Sequence, residues 1–172
     1  MFDTVLPVNP SNAILRMNYA TLLTHQGKLE TARREAELAI RLDPLSRFGS
    51  MAWSTLGLVE ATDGDLGQAI SMTRRALQLE SNETYGQAQL PVLLYLDDRI
   101  PAAQDAFADL MRDHPRWNPR NRLSYGWFRP IEPLIRERVA QASGALRKER
   151  SLADLLEWIF LDLGWVPPTP MP

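Results

Sequence analysis

The spacing Gly27-x4-Ala32-x6-Ala39 returns as Gly64-x4-Ala69-x6-Ala76, 37 residues further along the chain. A third copy supplies Ala103 and Leu110, each 34 residues beyond its counterpart Ala69 or Ala76. A period in this range is the signature of helical hairpins stacked into a solenoid, so it constrains the fold more than any single motif could. Each copy reads as two helical segments around a short turn, Gly27-Lys28, Gly64-Asp65 or Asp97-Asp98-Arg99. Gly27 and Gly64 stand where a first helix ends and a left-handed backbone is needed. Ala20 and Gly57 on first helices face Ala32, Ala69 and Ala103 on second helices, and larger side chains at such crossings would push the helices apart. Pro44 and Pro115 follow second helices and stop them.

These residues resemble the tetratricopeptide-repeat (TPR) family, whose unit carries Trp-x2-Leu-Gly-x2-Tyr, Ala-x3-Phe and a closing Pro. The middle copy has Trp53-x2-Leu56-Gly57, Gly64, Ala69 and Ala76; the third has Ala103-x3-Phe107 and Pro115. The first has Tyr19-Ala20, Gly27, Ala32-x3-Ala36, Ala39 and Leu42-Asp43-Pro44. The resemblance implies an all-α chain, a right-handed helical-hairpin solenoid of three TPR units. A capping helix and a C-terminal apolar helix follow. It divides the chain into an N-terminal extension (1–12), repeats at 13–46, 50–83 and 84–115, an aromatic and proline-marked connector (116–130), a capping helix (131–150), an apolar helix (151–164) and a Pro-rich tail (165–172). The pattern is broken at Arg16, which replaces an aromatic, at the extra residues Arg47-Phe48-Gly49, and at Pro91, which predicts a kink or a late start in its helix.

In this family first helices line a concave face that holds ligands. Carried over, the groove comprises Met17, Asn18 and Thr21, then Met51, Thr55 and Leu58, then Tyr85, Gln89, Val92 and Tyr95, with Ile14, His25, Ser54, Thr62 and Ala88 at further family places. No Asp, Glu, Lys or Arg falls among them. The Lys, Arg and Asn clamp with which some members hold acidic tails has no counterpart there, and a neutral groove suits a protein or peptide with apolar anchors. The competing reading is that several of these side chains pack between repeats.

The last helix is set by its own pattern. Ser151 is an N-cap with Asp154 three residues on. Leu152, Leu155, Leu156, Ile159, Phe160 and Leu163 form one apolar stripe, widened by Trp158. Such a stripe must be covered. It is either a lid over the chain's own repeats or a self-association surface joining a homodimer.

Charge is segregated. Residues 1–114 hold 10 basic and 15 acidic side chains, residues 115–150 nine and three, and residues 151–172 none and three. In the basic segment Arg116, Arg120, Arg122 and Arg129 alternate with Trp117, Tyr125 and Trp127, the mixture that binds single-stranded nucleic acid. The net charge of -2 favours the opposite reading, in which these arginines meet the acidic repeats or tail.

Catalysis has little to stand on. There is no cysteine, and the two histidines, His25 and His114, lie in different repeats. No Gly-rich phosphate loop is present, and Thr62-Asp63-Gly64-Asp65 is too short for a calcium loop. The sequence therefore predicts a non-enzymatic scaffold without metal or cofactor. No apolar run spans a membrane, and the expected location is the cytoplasm. An alternative is a relative or fragment of a bacterial cyclase or transcription regulator whose repeats govern an attached domain. Repeats followed by Trp/Phe-Pro and a helix ending Leu-Arg-Lys resemble that arrangement.

Overall fold

The structure, a computed structural model, describes residues 9, 11–143 and 150–167, the side chains of residues 123 and 124 excepted. Most of the expected N-terminal extension, the end of the expected capping helix with Leu146, and the Pro-rich tail beyond Pro167 lie outside the described residues.

Three helical hairpins follow in order: α1 (Ala13–His25) with α2 (Leu29–Leu42), α3 (Arg47–Asp63) with α4 (Leu66–Leu79), and α5 (Thr84–Leu96) with α6 (Ile100–Asp113). The short α7 (Arg122–Trp127), a 3-10 turn (Arg129–Ile131), α8 (Glu132–Ser143) and α9 (Leu152–Asp162) complete the described chain. Every described element is helical, and the stack is a TPR-type solenoid.

One backbone motif ends each first helix. Lys28, Asp65 and Arg99 donate their N–H back to Leu23, Glu60 and Leu94, each at 2.9 Å. The residue before each donor is left-handed: Gly27 at φ 72°, Gly64 at 96° and, in the third hairpin, Asp98 at 60°. This is the Schellman ending, in which one left-handed residue satisfies the last orphan carbonyls. It closes α9 as well, where Gly164 has φ 100° and Trp165 donates to Phe160 at 2.7 Å.

The helix starts are capped by different side chains. Asn12 accepts from Leu15 N, Ser46 from Phe48 N and Asp65 from Gln68 N. Buried Glu83 accepts from Tyr85 N, Gly86 N and the Ser54 hydroxyl. Those three donors compensate a carboxylate that water no longer reaches. The extra residues Arg47-Phe48-Gly49 form an added first turn on α3, whose 17 residues make it longer than its neighbours. At Pro91 the late start does not occur, since α5 begins at Thr84 and runs on to Leu96. Arg16, in the place of an aromatic, pairs with Glu35 at 2.5 Å.

Packing within the hairpins depends on small residues. Ala20, Ala32, Ala36, Ala69 and Ala103 are fully buried. A Cβ on Gly57 would lie 2.6 Å from Thr73 Oγ1, 2.8 Å from Gln89 Nε2 and 3.0 Å from the Ala69 carbonyl oxygen. Alanine there gains about 1 kcal/mol of helix propensity, but overpacking costs about 1–3 kcal/mol. The atoms it meets are backbone or are bonded in place, so the clash wins. Gly57→Ala is expected to lower the denaturant midpoint by the equivalent of about 1–2 kcal/mol at unchanged slope; a midpoint at or above that of the parent chain would contradict the close crossing.

The N-terminal repeats hold only thin clusters, such as Leu23 with Ala32 and Val59. The large core lies further on. It runs from Leu58 and Ile70 through Val92, Leu93, Tyr95 and Phe107 to Phe128, Ile131, Ile135, Leu156 and Phe160. Repeats, connector and C-terminal helix thus share one interior.

Candidate interaction surface

After the third hairpin the chain turns back over the solenoid's first helices. Trp117 meets Phe160 edge to face at a centroid distance of 4.5 Å. Arg120 binds Glu157 at 2.6 Å and Asp154 at 2.8 Å, which fastens the connector to α9. The Asp154 carboxyl is held below the usual carboxylate range, chiefly by hydrogen bonds from Ser151 and then by Arg120. Ser151 and Asp154 form a reciprocal capping box at the start of α9.

The next segment crosses the row of first helices as a strap. Trp127 stacks on Tyr85 at 4.5 Å, and its Nε1 donates to Gln89 Oε1 at 2.6 Å. The carbonyl oxygen of Gly126 lies 3.1 Å from His25 Nε2, joining the connector to the first repeat. Phe128 and Ile131 are fully buried, and the 3-10 turn rests on both α1 and α3. Beyond it Arg138 of α8 donates to the Tyr95 carbonyl at 3.2 Å, lies over the Tyr95 ring at 5.3 Å and pairs with Asp98. The Tyr95 hydroxyl donates to Asp162 at 2.8 Å, and burial with this bond raises its pKa.

The expected groove residues therefore separate into two sets. Leu58, Val92 and Tyr95 are 0%, 0% and 1% exposed and belong to the shared interior, not to an open surface. Thr55 and Gln89 are also enclosed. Gln89 Nε2 donates to the Ser54 carbonyl at 3.1 Å and Thr73 Oγ1 at 2.7 Å, while its Oε1 takes the Trp127 indole. Met17 is buried against Ala39 and Ala52. Asn18 is exposed, and Thr21, Met51 and Tyr85 are half-buried. The Thr21 and Thr55 hydroxyls meet at 3.2 Å across two repeats.

The residues expected to self-associate are packed within this chain. Leu152, Leu155, Leu156, Ile159, Phe160 and Leu163 are buried, and Trp158 sits edge-on to Tyr95 at 6.3 Å. Phe160 also meets Phe107 at 5.4 Å.

A cleft of about 320 Å³ opens beside the strap. Its walls include Arg47 from the added turn of α3, Tyr85 and Ala88 from α5, and Trp117, Trp127 and Phe128 from the connector. Arg47 makes no ion pair among the described residues. The cleft offers aromatic walls and one cation. The TPR pattern alone marks only Tyr85 and Ala88; the signal for the rest was the concentration of Trp, Phe and Pro after residue 115. Among the described residues no cluster of His, Asp and Glu is placed to hold a metal ion, and no helix is long and apolar enough to cross a membrane.

No protein-family model matches the sequence, and no curated protein matches it. Solved structures do. PilF of Pseudomonas aeruginosa superposes with a TM-score of 0.61 at 22% identity, over 94% of this chain and 64% of that one, so the chain spans less than two thirds of its length. MamA gives 0.57 at 17% identity, over 94% and 82% of the two chains. A chain of the Naa15/Naa10 assembly bound to HypK-THB gives 0.55 at 19% identity, over 95% of this chain and 26% of that one. At these identities the likeness speaks to architecture, and it is the same in each case: the chain has the tetratricopeptide-repeat fold.

Proposed function

We propose that the chain is a non-enzymatic scaffold that holds an extended segment of another protein in the cleft between Arg47, Tyr85, Ala88 and the connector. The observation that carries this reading is the cleft itself, an aromatic-walled opening between two first helices and the connector. Trp117, Trp127 and Tyr85 provide flat apolar walls at small entropic cost, as rigid aromatics do at binding surfaces. Arg47 stands ready for a carboxylate on the bound segment. Asn18, Thr21 and Met51 extend the surface toward the first repeat. Protein partners of TPR assemblies, such as HypK-THB on Naa15/Naa10, are in keeping with this role. The C-terminal helix is buried against this chain's own core through Leu155, Leu156, Ile159 and Phe160, which supports a single copy as the working unit. A cytoplasmic setting fits a chain without cysteine.

The test is selection of a random peptide library on the full chain, followed by affinity measurements on two variants. Arg47→Glu and Thr84→Trp both alter exposed residues at the lip, one reversing the charge and the other obstructing the opening. Each is expected to weaken the selected peptides by about tenfold or more, near 1.4 kcal/mol, with an unchanged circular dichroism spectrum. Peptides that bind both variants as tightly as the parent chain would place the site elsewhere.

A further inference from the structure

On the other side of the strap the connector's arginines take different roles. Arg120 is committed to Glu157 and Asp154, Arg136 to Glu132, and Arg138 to Asp98. The side chains of Arg122 and Arg129 have no ion pair or hydrogen bond with any described residue. Both are exposed, and both line one cleft of about 430 Å³ with His25, Tyr125 and Gly126. No carboxylate lines it. Two uncompensated guanidinium groups thus converge on one opening in a chain of net charge -2.

His25 adds a third element. Its Nδ1 lies 2.9 Å from the Thr21 carbonyl oxygen and its Nε2 3.1 Å from that of Gly126. A neutral ring carries one N–H and can serve only one of these acceptors; the imidazolium serves both. The groups that face it from the packed elements are Arg122 and Tyr125 of α7 and Arg129 of the 3-10 turn.

We propose that this cleft binds a phosphate monoester between Arg122 and Arg129, beside the point where His25 meets the strap. Two guanidinium forks offer more donors than one carboxylate can accept, whereas the three terminal oxygens of a phosphate monoester match them. A nucleic acid strand is the less fitting ligand. It needs a track of cations and a row of stacking faces, and this cleft is lined by two arginines and one aromatic ring, Tyr125. The site stands apart from the peptide cleft and does not rest on that reading.

The experiment titrates the full chain with inorganic phosphate, inorganic sulfate, a short phosphoserine peptide and its unphosphorylated twin, followed by amide and imidazole NMR shifts. Saturable shifts at Tyr125, Gly126 and Arg129 are expected with both anions and the phosphopeptide, not with the twin. Arg122→Ala with Arg129→Ala should weaken them by about tenfold or more. Both residues are exposed, so an unchanged dichroism spectrum is the check on folding. A phosphopeptide that binds more tightly than phosphate identifies a phosphorylated side chain as the source; equal affinity identifies a free phosphate ester or phosphate. Absence of saturation, or binding undiminished in the double arginine variant, overturns the proposal. An oligothymidylate that binds more tightly than every phosphate probe through the same arginines overturns it in favour of single-stranded nucleic acid.

Discussion

Ending the chain at Arg150 is expected to lower its melting temperature by at least about 10 °C. The deletion removes Leu152, Leu155, Leu156, Ile159, Phe160, Leu163 and Trp165, all buried. Their gross transfer contribution is about 10 kcal/mol or more, and the conformational entropy regained by the lost helix offsets much of it. The remaining structure is left with a bare face. Phe107 and Trp117 lose Phe160, Tyr95 loses Trp158 and Asp162, and Arg120 loses both of its carboxylates. Several kcal/mol is a large share of the roughly 5–15 kcal/mol that holds a domain together. Sedimentation run beside the melts separates the lid from a subunit joint: the full chain is expected to travel as a monomer. A full chain that is dimeric, with a shortened one that is monomeric and equally heat-stable, would show that α9 joins subunits.

Gln89→Leu is expected to cost about 3 kcal/mol although it preserves shape and raises hydrophobicity. The amide answers the Ser54 carbonyl, the Thr73 hydroxyl and the Trp127 indole in one fully buried place. Leucine leaves all three without that partner, at about 1–3 kcal/mol for each buried group that finds no substitute. The strap is tied to α5 by the same residue, so Trp127 emission should shift to the red. Trp127→Phe keeps the ring on Tyr85 while dropping the donor, and should cost less. A cycle of the two substitutions measures their coupling. Equal stability of Gln89→Leu and the parent, with unchanged emission, would show that this network does not hold the strap.

The hairpins were legible because their determinants are local. A left-handed residue is needed at one place per turn, small residues at one place per crossing, and both needs repeat with the period. Gly27, Gly64, Gly57 and Ser151 could be assigned roles from spacing alone. Asp98 could not, because an aspartate in a turn does not announce that it will take the glycine's conformation. Arg16 looked like a gap in the pattern, whereas its partner Glu35 lies 19 residues on, where no family pattern pairs them. The larger difference concerns Thr55, Leu58, Gln89, Val92 and Tyr95. Family position marks them as concave, whereas the structure shows them buried. The segment after Pro115 then covers them. A run of Trp, Phe and Pro without periodicity says that something will be buried, but its destination depends on shape complementarity across more than 60 residues. The cleft at Arg47 and the cation pair at Arg122 and Arg129 follow from that destination, so neither could be read before it.

The contact between His25 and Gly126 spans 101 positions in the chain. An ordinary repeat array is open at both ends: units can be gained or lost, and each end frays independently of the other. A strap that starts beyond the last unit and fastens to the first turns this ladder into a closed circuit. Inserting or deleting one hairpin between these anchors would move His25 away from the reach of residues 116–128, so the length of the return fixes the spacing between the two ends of the strap. Closure also couples the ends during folding. The first repeat, thin in its own core, reaches its final order only once the last segment has come back to it, so unfolding should proceed as one transition and folding should be slower than for a stack of purely local contacts.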